Sequence, residues 1–323
     1  MSGRHIRARI PCLHVTHPAS PGQTGASFKL FPGQQSGISA GELNNRFGGG
    51  WTLGHEFKAT RFVIDSDGIA RFTFARPEIM NPLTEDLIAD FKAMLGQVEQ
   101  NPDVRVLIIA GEGRAFSAGG DVKGMEARKG KPLTDVRARL FGTHDWLVRL
   151  WNLDVPVIAA VDGLAYGGGF AFALLADFVF AGPKARFCSV FGRIGLMPDL
   201  GLLYTLPRVV GMQAAKDLMY TCRSIDVDEA KDMGIVYRSC SSEDLMGEVD
   251  AFARLLACGS KEAIAVTKRT ANATFEATYN DNVLAEANGQ ALLFGSEFHQ
   301  EAVRRFVAKE PSLYDWDKMT KEG

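Results

Sequence analysis

Two apolar runs, residues 104–110, interrupted by Arg105 alone, and 155–161, each end in a glycine-rich turn. No other feature limits the fold so strongly. Short runs of this kind read as strands buried on both faces, the pattern of parallel sheets covered by helices. The first leads to Phe116-Ser117-Ala118-Gly119-Gly120-Asp121 and the second to Gly167-Gly168-Gly169. Glycine leaves backbone N–H groups unobstructed where a chain quits a sheet and starts a helix. Two such turns on neighbouring strands can aim two donors at one point. That geometry holds a carbonyl oxygen as it becomes negative, helped by the positive end of a helix.

Each cluster alone has a plainer reading, since glycine after a strand often serves only a tight turn or close helix packing. A dinucleotide fingerprint fails on detail. Gly163-Leu164-Ala165-Tyr166-Gly167 lacks the Gly-x-Gly-x-x-Gly spacing, and no acid follows at the distance that would grip a ribose. Gly48-Gly49-Gly50 has no Lys-Ser/Thr after it, so it is no phosphate loop.

The rest of the chain gives a regular β/α pattern. Residues 62–65 and 69–74 flank Ser66-Asp67-Gly68, a hairpin signal. Thr84 is placed to cap a helix with Leu87, Ile88, Phe91, Met94, Leu95 and Val98 on one face. The charged stretch 126–131 reads as an exposed loop, and 135–152 as a long amphipathic helix before the second apolar run. Beyond Ala214 the pattern is nearly all helical. Strands alternating with helices predict an α/β fold of stacked β-β-α units. The expected divisions are an irregular extension over residues 1–56, a β/α core over 57–213 and a helical region over 214–323.

Several phrases resemble the crotonase (enoyl-CoA hydratase/isomerase) superfamily, in its order and spacing. They are Arg76-Pro77-Glu78-Ile79-Met80-Asn81, Ala118-Gly119-Gly120-Asp121, Pro156 to Gly163, the triple glycine, and Gly195-Leu196-Met197-Pro198-Asp199-Leu200-Gly201. The resemblance implies a ββα spiral core, C-terminal helices that assemble a homotrimer or hexamer, and an acyl-CoA thioester as substrate, as in fatty acid metabolism. It implies no separate cofactor, coenzyme A being part of the substrate. The amides of Gly120 and Gly168 would form the oxyanion hole. Ala118, Gly119, Asp121, Gly167, Phe191 and Met197 would line the substrate, although Asp121, as the residue opening a short helix, also reads as its cap.

The resemblance also exposes a departure. A typical hydratase shares one water between two glutamates, and the matching positions here hold Ala171 and Phe191. Neither moves a proton. There is no Gly-x-Ser-x-Gly elbow to substitute. Asp199 remains, at a position where the isomerase and hydrolase branches carry an aspartate facing the acyl chain. A carboxylate beside Phe191, Leu196 and Met197 would be partly desolvated and a stronger base. It could equally cap a helix starting near Gly201. His144 and Asp145 are weaker candidates for proton transfer. Arg76 and Lys309 are candidates for coenzyme A phosphates, or plain surface cations. The open readings are therefore an isomerase or atypical hydratase using Asp199, a hydrolase, decarboxylase or carbon–carbon lyase on the same fold, and a non-catalytic acyl-CoA binder.

Composition agrees with a globular enzyme, at 46% hydrophobic, 23% charged and net charge −2 over 323 residues. That balance gives no electrostatic reason to expect nucleic acid or an anionic membrane. The five cysteines are scattered and make no metal or disulfide pattern, which fits a reducing cytoplasm. Residues 1–41 lack acids and carry Arg4, Arg7, Arg9 and Lys29, so they read as a dispensable extension or a transit peptide for the mitochondrial matrix.

Overall fold

The computed structural model describes residues 56–322 except residue 128. The expected extension over 1–56 thus lies outside the described residues, apart from Glu56. The first hairpin pairs β1 (Thr60–Ile64) with β2 (Ile69–Phe74) antiparallel. Helix α1 (Glu85–Gln100) starts where expected, the Thr84 side chain accepting a hydrogen bond from the Leu87 amide. Of its six predicted apolar positions, all but Ile88 are buried.

Each following unit places one strand in a large sheet and a short strand in a small one. The pairs are β3 (Val106–Gly111) with β4 (Ala115–Ser117), then β5 (Val157–Val161) with β6 (Leu164–Tyr166), then β7 (Phe178–Ala181) with β8 (Arg186–Cys188). Between the first two lie α2 (Val122–Ala127) and α3 (Leu133–Trp151), and α4 (Gly168–Ala173) follows β6. The C-terminal elements are α5 (Leu202–Val210), α6 (Met212–Thr221), β9 (Ser224–Ile225), α7 (Val227–Asp232), β10 (Arg238–Ser239) and α8 (Leu245–Ala257), then α9 (Lys261–Ala273), α10 (Tyr279–Phe294), α11 (Glu297–Ala308) and α12 (Trp316–Glu322).

Among the described residues the large sheet runs β1-β2-β3-β5-β7-β10 and the small one β4-β6-β8-β9. From β2 to β10 the large sheet is parallel, and β4, β6 and β8 are parallel in the small sheet. This is the α/β architecture of stacked β-β-α units that the resemblance implies, with a helical C-terminal region. The sequence pattern gives only the long strands; the glycine turns leave from the short strands β4 and β6, and residues 126–127 of the expected loop are the end of α2.

Two apolar layers hold the sheet. On one face Leu245, Val249, Phe252 and Ala253 of α8 pack on Ile69, Val106, Ile108, Ile158 and Phe180. On the other, rings interlock between elements that carry the glycine turns. Phe74 meets Phe116 at 5.3 Å and Phe172 at 6.1 Å. Phe172 meets Phe91 at 5.0 Å and Trp146 at 5.3 Å. These edge-on and tilted contacts fix β4 and α4 against α1 and α3.

An ion pair between a buried lysine and a partly exposed aspartate ties α9 to the core. Lys268 Nζ donates to Asp177 Oδ2 at 2.7 Å and to the Val155 carbonyl at 3.1 Å. The same Asp177 oxygen accepts the Val157 amide at 2.7 Å. Burial pulls the Lys268 ammonium below its ordinary proton affinity, against the attraction of Asp177. Lys268→Met keeps the stem but removes the donor to the carboxylate and to the Val155 carbonyl. Urea denaturation should show a loss of about 1–3 kcal/mol, partly recovered by adding Asp177→Asn; an unchanged midpoint in the single variant would show that the pair contributes nothing.

Candidate active site

The first glycine turn is fastened from below by the loop before α1. Asn81 is fully buried, with φ 51°. Its Oδ1 accepts the Arg76 amide at 2.8 Å, and its Nδ2 donates to the Ala115 carbonyl at 2.8 Å and the Glu112 carbonyl at 3.0 Å. Ser117 Oγ donates to the Asn81 carbonyl at 2.7 Å and accepts the Gly119 amide at 3.2 Å. The Ala118 amide donates to the Met80 carbonyl at 2.9 Å. Such a set satisfies every polar group of a buried asparagine and leaves the turn little freedom.

Leu83 and Gly120 form an isolated parallel bridge, in which the Leu83 amide donates to the Gly119 carbonyl at 2.8 Å. In a parallel pair a residue bonds to the neighbours of its opposite number. The Gly120 amide is therefore turned away from Leu83 and left for another acceptor.

The second turn is held from the next strand, the Gly167 amide donating to the Cys188 carbonyl at 2.8 Å. Gly167 has φ 51° and caps α4, so Gly168 is the first helical residue and has no intrahelical acceptor for its amide. Parallel pairing of Ala115 with Leu164 and Ser117 with Ala165 brings the turns together. A Cβ on Gly119, which has φ 92°, would lie 2.5 Å from the Tyr166 carbonyl oxygen and 3.0 Å from the Gly168 nitrogen. One on Gly169 would lie 2.3 Å from the Ser117 carbonyl oxygen. Glycine is required at both positions for the backbones to approach this closely.

Asp199 belongs to the same neighbourhood. Its neighbour Leu200 packs on α4, since a Cβ on Gly168 would lie 2.8 Å from Leu200 Cδ1 and 2.5 Å from Leu83 Cδ1. Leu200 has φ 53° and Gly201 φ 83°; a left-handed leucine is strained, and such strain concentrates at functional sites. Burial raises the proton affinity of the Asp199 carboxyl above the ordinary carboxylate range, while His144 and Arg139 on α3 and its own backbone amide pull it down. The expected helix cap is not what the carboxylate does. Gly201 is the N-cap of α5, with no side-chain capping bond. Only the backbone carbonyl of Asp199 is used, accepting the Leu202 amide at 3.0 Å.

Other predicted residues are less enclosed. Ala118 and Asp121 are half-buried and Gly120 is exposed. Met197 is 68% and Leu196 50% exposed, so these two do not by themselves enclose Asp199. Ala171 is fully buried in the main core. Phe191 is buried on a 3-10 turn, its ring 3.8 Å from where a Gly167 Cβ would be. His144 and Asp145 are exposed. The Arg76 guanidinium is engaged with the Lys58 carbonyl at 3.2 Å, and Lys309 ends α11 in a left-handed conformation. Asn81, Ser117 and Leu83 are the scaffold residues that sequence reasoning missed; the positions of Asn81 and Ser117 within recognisable phrases were the available signal. Two surface hollows of about 420 Å³, one beside Asp226 and Ser239 and one beside Lys261 and Arg269, include none of these residues.

The comparisons with known proteins agree with one another. The sequence model of the enoyl-CoA hydratase/isomerase family matches residues 65–317. The 1,2-epoxyphenylacetyl-CoA isomerase of Escherichia coli is 31% identical over 243 residues, covering 75% of this chain and 93% of the relative. The crotonyl-CoA hydratase of Syntrophomonas wolfei is 34% identical over 242 residues, covering 74% and 91%. A crystal structure of an enoyl-CoA hydratase/isomerase from Cupriavidus metallidurans superposes with a TM-score of 0.76 at 32% identity, covering 80% of this chain and 97% of that one.

Proposed function

Because the chain belongs to the enoyl-CoA hydratase/isomerase family, we propose that it isomerises an enoyl-CoA through a thioester enolate, with Asp199 as the proton carrier. The Gly120 and Gly168 amides receive the thioester oxygen. The Asp199 carboxylate takes a proton from the α-carbon, and the electron pair passes to the oxygen. The dienolate then collapses as the Asp199 carboxyl returns the proton to the γ-carbon, so the double bond moves and nothing else is consumed. Atypical hydration would use the same base on water.

The observation that carries this reading is the carboxylate with raised proton affinity, on a strained turn whose Leu200 packs on Gly168. A general base works best when its proton affinity approaches the working pH. Ala171 and Phe191, where a hydratase has its glutamates, favour isomerisation over ordinary hydration. The same two residues favour a second reading, an acyl-CoA binder without turnover. Incubation with enoyl- and hydroxyacyl-CoA esters, followed by mass spectrometry and absorbance, separates the classes. Isomerisation leaves the mass unchanged with shifted absorbance; a gain of water means hydration, free coenzyme A means hydrolysis, and no change means a binder.

Assembly into a trimer or hexamer through the C-terminal helices is part of the proposal. Helix α10 has no buried residue, yet Leu284, Leu292 and Phe294 on it and Phe306 on α11 are exposed. Apolar surface of this extent ordinarily marks an association face. Light scattering at micromolar concentration should give three or six copies, and a stable monomer would contradict it.

A further inference from the structure

Ser117 sits where the two glycine turns meet. It is fully buried at the end of β4. A Cβ on Gly169 would lie 2.9 Å from Ser117 Cβ, so the serine packs against α4, the helix that Gly168 opens. Its hydroxyl reaches back to the loop before α1. Ser117 Oγ donates to the Asn81 carbonyl at 2.7 Å, which commits the hydroxyl proton. Only lone pairs are then left on Oγ, and they accept the Gly119 amide at 3.2 Å. Three consecutive amides thus have three fates. That of Ala118 goes to the Met80 carbonyl and that of Gly119 to Ser117, while that of Gly120 is turned away from Leu83. A turn of glycines without such a hold could present either the Gly119 or the Gly120 N–H, because glycine rotates so readily.

We propose that Ser117 is a positioning residue for the oxyanion hole. It withholds the Gly119 N–H and so delivers the Gly120 N–H, alone from this turn, to the thioester oxygen. The inference rests on the reading of Gly120 and Gly168 as the two donors. Serine suits the place on both counts. The approach of Gly169 leaves no room for a larger side chain, and a hydroxyl held by a buried carbonyl is a fixed acceptor. Ser117→Ala keeps the Cβ and removes only Oγ, which leaves the Gly119 N–H without its acceptor. The Gly120 amide should then drift from its aim. The cost should be about 10–100-fold in kcat, since a misplacement of about 1 Å carries roughly 10²-fold. An oxyanion contact strengthens only as charge develops, so KM should change little.

The test uses the full chain and a probe that needs no turnover. Acetoacetyl-CoA, a β-ketoacyl thioester, ionises to an enolate whose near-ultraviolet absorbance differs from that of the keto form. Two well-placed donors should raise the enolate fraction of the bound ester above that of the free ester at the same pH. Ser117→Ala should lower the bound enolate-to-keto ratio by the same ~10–100-fold, while affinity for saturated butanoyl-CoA holds. Ser117→Cys keeps a weaker acceptor and should fall between the two. It also carries the test if the alanine variant does not fold, melting temperatures being checked for each. A ratio that both variants leave at the wild-type value overturns the proposal. So does an equal loss of butanoyl-CoA affinity, which would mark a purely structural role. Because the ratio is an equilibrium, it does not depend on which group moves the proton. An enolate shift controlled by Ser117, with undiminished turnover in Asp199→Asn, keeps this inference and sinks the role of Asp199. No enolate shift in the wild type sinks the two-donor site and this inference together.

Discussion

Alanine at position 119 should reduce kcat/KM for an enoyl-CoA by about 10²–10³-fold, the range found when one oxyanion donor is lost. The cause is geometric. The added Cβ meets two backbone atoms of the other turn, the Tyr166 carbonyl oxygen at 2.5 Å and the Gly168 nitrogen at 3.0 Å. Neither can swing aside as a side chain would, so the two turns must separate. Gly119 also has φ 92°, and a left-handed alanine costs roughly 1–2 kcal/mol by itself. Gly234→Ala isolates that second effect, because Gly234 has φ 81° and an added Cβ there meets its nearest atom, the Val209 carbonyl oxygen, only at 3.8 Å. The control should lose stability and keep its rate. If Gly119→Ala folds and works like wild type, the two glycine turns do not act on one oxygen.

Local chemistry is what the sequence made legible. The hairpin followed from Ser66-Asp67-Gly68, and the start of α1 from Thr84 with its acidic first turn. The central strands followed from residues apolar on both faces. The short strands β4 and β6 were not separable, because three residues carry no period and their partner is a distant segment. Two-residue β9 and β10 were hidden in a stretch that otherwise reads as helix for the same reason.

The candidate site divides along the same line. Glycines announced the turns, since their backbone freedom is a property of the residue itself. The hold on those turns did not show, because Asn81 gathers polar groups from residues 76, 112 and 115 and from Ser117, which only the fold assembles. The capping expectation at Asp199 failed because Leu200 and Gly201 both turn left-handed, which makes Gly201 the cap and leaves the carboxylate for other work. Its nearness to His144 and Arg139 is likewise a product of tertiary packing.

Asp199→Asn carries the largest expected effect. Asparagine has the shape and polarity to keep the turn but cannot accept a proton at neutral pH, so turnover should fall roughly 10²–10⁴-fold while acyl-CoA affinity holds. Stability should move the other way. The Asp199 carboxyl has a raised proton affinity when folded, chiefly through burial. Over the window between its unfolded and folded titrations the folded chain binds more protons, so stability falls as pH rises through that window. Above it the cost is fully present, and asparagine removes it. The variant should therefore melt higher than wild type at neutral pH and lose this advantage in acid, as expected of a group kept for chemistry rather than for the fold.

Enolate formation itself can be read without knowing which acyl group is native. Acyl-CoA esters incubated in deuterated buffer exchange an α-hydrogen only if a base removes it and the thioester oxygen is held. Mass spectrometry of a 3-enoyl-CoA, whose α-hydrogens are acidic, should show deuterium gained with wild type and at least a hundredfold slower gain, within the same ~10²–10⁴ range, with Asp199→Asn. Exchange that proceeds equally fast in Asp199→Asn would contradict the account, because the proton would then be leaving to some other group.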